Sequence, residues 1–182
     1  VDVWGWSHGE VVWGSLSQRL GGQTGRAALG NAAITGMAIA NIDGDTTNEL
    51  IVLDASGQVF SVDGPETFRK IATLSKAIIG SPVVADLDGD GSDEAVVLSF
   101  DGSFSILRND GLAIESVPVP GGAGSAPVLG DLNLDGFVDV LFGGKDQIWV
   151  AQLNGIQQSD TPVALPLKDE PGVIESSPLL AD

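Results

Sequence analysis

The chain has 182 residues, 43% of them hydrophobic, and carries 25 acidic against 8 basic side chains, for a formal net charge of −17. This charge argues against nucleic acids and anionic membrane surfaces as partners, and the apolar content excludes a disordered acidic tail. The absence of cysteine excludes disulfides and thiolate metal sites. Glycine is frequent, at 25 residues, which favours an all-β fold with many turns.

The beginning of the chain is similar to the end of a motif that recurs later. Val1-Asp2-Val3-Trp4 corresponds to residues 138–141, so Asp2 takes the place of the last acid in a loop whose front is missing. Residues 17–33 have no clear strand pattern, and the sequence there is compatible with a short helical turn.

Three loops of nine residues follow at a spacing of 45 residues, over 41–49, 86–94 and 131–139, and we call them the first, second and third loops. Each loop lies between two short apolar runs, and a fourth copy begins at residues 177–182. The last spacing is 51 residues, which predicts six extra residues within 161–173. A fixed period of this length is typical of repeat folds such as propellers.

The middle repeat has the clearest strand pattern. Its loop is followed by predicted strands over residues 94–100, 103–107 and 112–119, separated by turns at Asp101-Gly102 and at residues 108–111. Turns of the Asp-Gly type suit hairpins because they tolerate positive φ. Together with the apolar run before the loop, each repeat has about four short strands, the size of one propeller blade.

The sequence therefore predicts an all-β fold, a β-propeller segment of about four blades, each with about four antiparallel strands. The repeats cover approximately residues 1–35, 36–80, 81–125 and 126–176, and the next begins at 177–182. A segment cut within motifs at both ends leaves apolar blade faces uncovered. We therefore expect the remainder of the same polypeptide, or an adjacent protein chain, to pack against it.

Oxygen-bearing groups recur at alternate positions of the three loops. Calcium takes six to eight oxygen ligands, and one short loop can supply several of them from positions 1, 3, 5 and 9, with a backbone carbonyl from position 7. The candidate ligands are Asn41, Asp43, Asp45, Thr47, Glu49, Asp86, Asp88, Asp90, Ser92, Glu94, Asp131, Asn133, Asp135, Phe137 and Asp139. Zinc is disfavoured because the loops have neither His nor Cys. An EF-hand is excluded because Val52, Val97 and Phe142 stand where its last acid belongs.

We expect about one calcium ion per loop, bound most strongly at 86–94 and 131–139. Gly91 and Gly136 permit a sharp turn at position 6, where the first loop has Thr46. Asn41 also replaces the acid at the start of the first loop. More carboxylates usually give tighter calcium binding, so a weaker or empty first site is expected.

These features resemble the FG-GAP repeats of integrin α-subunit type β-propellers, including their bacterial relatives. The loops match that family's D-x-D-x-D-G-x-x-D/E pattern, and Phe142-Gly143 and residues 124–127 are similar to the elements that give the family its name. The resemblance covers about residues 36–182 and is weaker over 1–16. It implies that each loop joins the first two strands of a blade and binds one calcium ion, in propellers that commonly have seven blades.

The resemblance also implies a function: a secreted or cell-surface protein whose propeller binds a protein or a glycan, as in adhesion, without catalysis. No G-x-S-x-G elbow is present, and residues 121–124 lack the following Lys of a phosphate loop. Two alternatives stay open: the propeller scaffold of an extracellular enzyme such as a polysaccharide lyase, and a structural subunit of a larger extracellular assembly. No apolar run is long enough for a membrane helix, so no membrane span is expected.

Some polar and aromatic side chains are expected to have structural roles. Asp93 and Asp101 are expected to face solvent. The tryptophans are expected to pack between blades, with a stacking platform for a sugar or peptide as the alternative. They are Trp4, Trp6, Trp13 and Trp149.

Overall fold

The computed structural model describes residues 2–7, 10–14, 25–63, 67–145, 147–158 and 162–166, with side chains from residue 28 onward. In these ranges all regular structure is β-strand, and no helix occurs that could cross a membrane. The strands are β1 Asp2–Ser7, β2 Glu10–Gly14, β3 Gly25–Ala28, β4 Ile34–Ala40, β5 Glu49–Asp54, β6 Gln58–Val62, β7 Phe68–Thr73, β8 Ile78–Ala85, β9 Glu94–Ser99, β10 Phe104–Arg108, β11 Gly111–Glu115, β12 Val128–Gly130, β13 Asp139–Gly143, β14 Gln147–Ala151, β15 Leu153–Asn154, β16 Gln157–Gln158 and β17 Val163–Pro166.

The strands form successive antiparallel sheets. Three sheets have four strands each, in the orders β4-β5-β6-β7, β8-β9-β10-β11 and β12-β13-β14-β17, and we call them the first, second and third blades. Strands β1, β2 and β3 form a further three-stranded sheet. Neighbours in sequence are neighbours in each sheet, as hairpin connections require, except that β17 follows β14 in the third blade. The predicted all-β fold of four-stranded blades is thus confirmed, and β3 lies in a stretch where the sequence predicts no strand.

Strand register repeats between the first two blades. Val52 pairs with Phe60 in the first blade, and Val97 pairs with Ser105 at the same place in the second. Because side chains alternate between the two faces of a strand, the constant register gives these two blades the same two faces. In the third blade Phe142 pairs with Trp149, which offsets the pairing of β13 with β14 by one residue. Strands β5 and β9 are buried on both faces along their whole length.

Two apolar cores lie between neighbouring blades. Ile51 and Leu53 of β5 pack with Ala95 and Val97 of β9, in the core shared by the first and second blades. The alternate residues of β9 point the other way, into the core shared by the second and third blades. That second core includes Val96, Leu98, Phe104, Ile106, Val140, Phe142 and Trp149. Trp149 therefore packs between blades as expected, whereas the side chains of the other tryptophans lie outside the described residues.

Small residues let the first strands of neighbouring blades approach closely. Gly36 is in β4, and a Cβ atom on it would lie 2.9 Å from both the carbonyl oxygen of Gly80 and the Cα of Ser81 in β8. The φ angle of Gly36 is not in the left-handed region, so the requirement for glycine is purely steric. Glycine at this position sets the separation of the first two blades.

Gly36→Ala is expected to destabilise the fold by about 1–3 kcal/mol, because backbone atoms of the next blade cannot move aside for the methyl group. The free energy of unfolding measured in urea would give the cost. Thr35→Ala is the matched control, since Thr35 is exposed on the same strand and its truncation should cost less than about 0.5 kcal/mol. Equal effects of the two substitutions would contradict a close approach at Gly36.

The third blade contains an inserted hairpin between its last two strands. Strands β15 and β16 pair with each other through the Gly155-Ile156 turn, before β17 completes the blade. In the second blade the corresponding strands β10 and β11 are joined by two residues, Asn109 and Asp110. The third blade thus has extra residues before residue 161, whereas the sequence places its six extra residues within 161–173. Most of the segment 161–173 lies outside the described residues.

Candidate metal centres

The three acidic loops occupy the same place in their blades, each joining the first strand to the second. Position 9 of each loop is also the first residue of the second strand: Glu49 begins β5, Glu94 begins β9 and Asp139 begins β13. These three carboxylates are 1–2% exposed, whereas the acids at positions 1, 3 and 5 lie at the surface. The strand start thus places one buried carboxylate beneath a ring of more accessible ones.

A shared hydrogen bond ties the two ends of each loop together. The backbone N–H at position 2 donates to the position-9 carboxylate, from Ile42 to Glu49 at 3.1 Å and from Leu87 to Glu94 at 2.8 Å. In the third loop Leu132 donates to Oδ2 of Asp139 at 2.9 Å. One oxygen of each buried acid is used in this way. The second oxygen of Glu49 accepts from the Thr47 hydroxyl at 3.5 Å, and that of Glu94 lies 3.8 Å from the Arg108 guanidinium.

The side chains at positions 3 and 5 are oriented by backbone N–H groups. Asp45, Asp90 and Asp135 each donate from N–H to the side-chain oxygen at position 3, at 3.2, 3.2 and 3.0 Å. The N–H groups of Ser92 and Phe137 at position 7 donate in turn to the position-5 carboxylate, at 2.8 and 2.9 Å. The same small network of backbone hydrogen bonds thus recurs at positions 3 and 5 of all three loops.

Two of the loops bring three carboxylates close together. Ligand oxygens of Asp43, Asp45 and Glu49 all lie within 4.8 Å of one another in the first loop. The second loop does the same with Asp86, Asp88 and Glu94. Calcium–oxygen bonds of roughly 2.3–2.6 Å place opposite ligands about 5 Å apart, so this spacing fits a calcium ion.

The third loop carries a buried carboxylate oxygen without a hydrogen-bond partner. Oδ1 of Asp139 is buried and has no hydrogen bond of ordinary length and angle, although the N–H of Leu153 lies close enough to the carboxylate to lower its pKa. In the first loop the amide oxygen Oδ1 of Asn41 is likewise buried and unpartnered. Buried acceptors left without a donor are costly, and a cation between the ligands would satisfy both.

Position 4 has a backbone requirement that the sequence analysis missed. Gly44, Gly89 and Leu134 stand there with φ angles of 73°, 77° and 60°, and Leu134 is the one non-glycine residue with positive φ in the described part of the chain. The signal was present, since two of the three loops have glycine at this position. Leu134 is also 87% exposed, so no packing offsets its strained backbone.

Leu134→Gly is expected to stabilise the protein by about 1 kcal/mol, because relief of left-handed strain exceeds the entropic cost of glycine. Leu132→Gly is the matched control in the same loop, where φ is negative and glycine should destabilise by roughly 0.5–1 kcal/mol. Urea unfolding of both variants gives the comparison. Destabilisation by both changes would contradict strain at Leu134.

Neighbouring loops also contact each other through Asp93, which corrects the expectation that this side chain faces solvent, whereas the side chain of Asp101 is 39% exposed. Asp93 accepts a hydrogen bond on Oδ2 from the N–H of Asn41 at 2.8 Å, and its own N–H donates to the Asn41 carbonyl at 2.8 Å. Asp101 accepts from Ser103 at 2.6 Å and forms an ion pair with Lys76 at 3.3 Å. Asp93 thus links the first loop to the second.

A basic side chain lies across the second loop. Arg108, the last residue of β10, contacts Asp88 at 3.4 Å, Asp90 at 2.9 Å and Glu94 at 3.8 Å. The sequence analysis assigns Arg108 only to a turn. Its contacts depend on the β9–β10 register, which no local pattern reveals.

The electrostatics of the loops depend mainly on burial. Burial raises the pKa of Glu94 to about 7, with Asp88 and Asp90 raising it and the Leu87 N–H and Arg108 opposing the change. Burial also raises the pKa values of Glu49 and Asp139, which neighbouring loop carboxylates increase further. By contrast, hydrogen bonds from the N–H and hydroxyl of Thr47 lower the pKa of Asp45. Each loop thus holds one carboxylate that ionises reluctantly unless a cation is near.

Stability of the metal-free protein should fall as pH rises from about 4.5 to about 7. The pKa of Glu94 is raised from 4.5 to about 7 on folding, so the folded state binds the proton more tightly than the unfolded chain in this interval. Its contribution is complete below the lower value and lost above the upper one. The pKa values of Glu49 and Asp139 in the other two loops are also raised, and calcium needs these carboxylates ionised, so the increase in Tm caused by calcium should grow as pH rises.

Melting curves of metal-depleted and calcium-loaded protein at about pH 5, 6, 7 and 8 test this expectation. Glu94→Gln should flatten the pH dependence of the metal-free protein, while Glu115→Gln serves as an exposed control on the same blade. A calcium effect equal at every pH would contradict it.

Comparison with known protein families agrees with this architecture. Residues 86–142 match the FG-GAP-like repeat model, a range that starts at the second loop and ends within β13. A search of curated proteins finds no match to the chain. The chain therefore carries an FG-GAP-type repeat, the repeat of β-propellers that its loops and four-stranded sheets resemble.

Proposed function

We propose that the chain is a calcium-binding segment of a non-catalytic β-propeller in a secreted or cell-surface protein, where it serves protein or glycan binding. The observation that carries the proposal is the geometry of the loops, which repeats with a buried carboxylate at position 9 of each. The unpartnered Oδ1 of Asp139 in the third loop supports a cation there. The clustered carboxylates of the first two loops support the same ion.

The proposed ligands are those of the sequence analysis. Carboxylate and carbonyl oxygens suit calcium, whose extracellular sites have dissociation constants of about 0.1–1 mM. Abundant calcium outside the cell would keep such modest sites filled, which favours the secreted or surface location. Calcium in the loops would fix the blade edges into a rigid platform for a protein or glycan partner.

Calorimetric titration of the metal-depleted protein with calcium tests the ion. Binding is expected with constants at or below about 1 mM, and magnesium should bind more weakly because it prefers fewer, strictly octahedral ligands. Asp135→Asn should weaken binding, whereas Asp110→Asn, an exposed turn acid outside the loops, should not. Absence of calcium binding up to several times that concentration would overturn the proposal.

The partner is tested separately with immobilised glycans and extracellular matrix proteins. Retention of the chain should require calcium and disappear in chelator if the ion orders the binding edge. Retention that persists unchanged in chelator would show that partner binding does not depend on calcium in the loops.

A further inference from the structure

The residue at the end of the third strand differs in charge from blade to blade. Arg108 ends β10 in the second blade, and Asp63 stands 45 residues earlier, directly after β6. In the third blade Val140 pairs with Ala151, so the corresponding residue is Gln152, directly after β14. Leu107 pairs with Ala95, and Val62 pairs with Leu50, in equivalent register. Arg108 is therefore placed beside Glu94 as Asp63 is placed beside Glu49.

Arg108 contacts the positions of the second loop that a calcium ion would bridge. Its guanidinium lies 3.4 Å from Asp88, 2.9 Å from Asp90 and 3.8 Å from Glu94, at positions 3, 5 and 9. A guanidinium stays charged at all ordinary pH values and presents several N–H donors in one plane. It can therefore neutralise several carboxylates at once.

We propose that the Arg108 guanidinium takes the place of calcium in the second loop, so that this loop closes without metal, while the first loop, with Asp63 beside it, binds calcium more strongly. The inference rests on the proposed calcium function of the loops. It reverses the order that carboxylate number alone predicts for these two loops, because the count omits side chains that reach a loop from another strand.

The surroundings of Asp63 support an added negative charge at the first loop. Asp63 lies at the surface, but partial burial of its carboxyl group, and then the carboxylates of Asp43 and Asp45, raise its pKa against the opposing charge of Arg69. The Arg69 guanidinium donates a hydrogen bond to the carbonyl of Asn109 in the second blade. Arg69 is thus engaged with the neighbouring blade, whereas Arg108 reaches into its own loop.

The third loop needs a cation for a different reason. Gln152, which follows β14 at the place of Arg108, is an uncharged residue, so it supplies no positive charge to the loop. Oδ1 of Asp139 remains without a hydrogen-bond partner. The wild-type chain should therefore bind calcium strongly at the first and third loops and weakly at the second.

Calorimetric titration of metal-depleted wild type, Arg108→Gln and Lys76→Gln with calcium tests the proposal. Arg108→Gln should tighten the weakest site at least about tenfold, because calcium no longer displaces a cation. It should also lower Tm in chelator, with calcium restoring the loss. Lys76→Gln is the matched control, since it also removes a positive charge near the second blade. Lys76 pairs with Asp101 and Glu115, and both of these acids lie outside the loops.

The reciprocal change, Asp63→Arg, keeps the test valid if Arg108→Gln folds poorly, because Asp63 is exposed. It should weaken one strong calcium site at least about tenfold and reduce the effect of chelator on Tm. If the wild type binds calcium and both variants bind it equally well, Arg108 does not take the place of calcium in the second loop. The proposal that the loops bind calcium would still stand. Loss of a strong site from wild type through Asp88→Ala would also overturn it.

Failure of the calcium proposal has a separate signature. If neither wild type nor Arg108→Gln binds calcium, the loops are not calcium sites, and the proposal that Arg108 takes the place of calcium is also wrong. If only Arg108→Gln binds calcium at the second loop, the replacement is supported.

Discussion

The protein should melt about 5–10 °C lower in chelator than in calcium at about 100 times its dissociation constant. Such an excess of an ion that binds only the folded state adds about 2.7 kcal/mol per site. For a chain of this size 1 kcal/mol corresponds to about 2–4 °C in Tm. Two filled sites would roughly double the shift.

The loops concentrate charge in a way that makes this sensitivity large. Eleven of the 25 acidic residues lie in the three loops. Without cations these carboxylates repel one another at short range, and the repulsion is relieved when the chain unfolds. Arg108 offsets part of the repulsion in the second loop, so the first and third loops should dominate the response.

Differential scanning calorimetry in EGTA and in excess calcium, at one ionic strength and near neutral pH, measures the shift. High sodium chloride is the control, because salt screens the repulsion without specific binding and should recover only part of the lost Tm. A melt unaffected by chelator would mean that the loops are surface turns rather than ion sites.

Much of the fold could be predicted from the sequence because its determinants are local. The 45-residue period, the apolar runs and the turn residues place the strands of the middle repeat within a few residues of β9, β10 and β11. The close approach of three carboxylates in the first loop and three in the second also involves residues that are near one another in the sequence. Each of these features depends on residues that are close in the chain.

The features that the sequence did not predict depend on contacts between distant residues. Arg108 reaches the second loop from 14 residues beyond Glu94, and only the hairpin register brings them together. Asp93 bonds to Asn41 in the preceding loop, which requires neighbouring blades to be packed. The β15–β16 hairpin turns at Asn154-Gly155, a residue pair typical of any tight turn, so the local sequence does not distinguish an inserted hairpin from an ordinary blade turn.

Phe142→Ala is expected to destabilise the protein by about 3–5 kcal/mol, a large part of the stability of a single domain. Phe142 is fully buried in the core between the second and third blades and pairs with Trp149 across β13 and β14. Truncation leaves a cavity that two blades border, and the sheet backbone cannot collapse to fill it. Separation of the blades should follow.

Urea unfolding of two further variants separates the lost packing from a general effect of substitution in this repeat. Phe142→Leu keeps most of the apolar volume and should cost less than about 1.5 kcal/mol. Phe137→Ala removes the same ring from the exposed surface of the third loop, and should change stability by no more than about 0.5 kcal/mol. Because Asp139 begins the strand that Phe142 anchors, Phe142→Ala should also weaken calcium binding at the third loop, whereas Phe137→Ala keeps the backbone carbonyl and should leave it unchanged. Equal losses of stability from the two Phe→Ala variants would show that the interface between blades does not depend on Phe142.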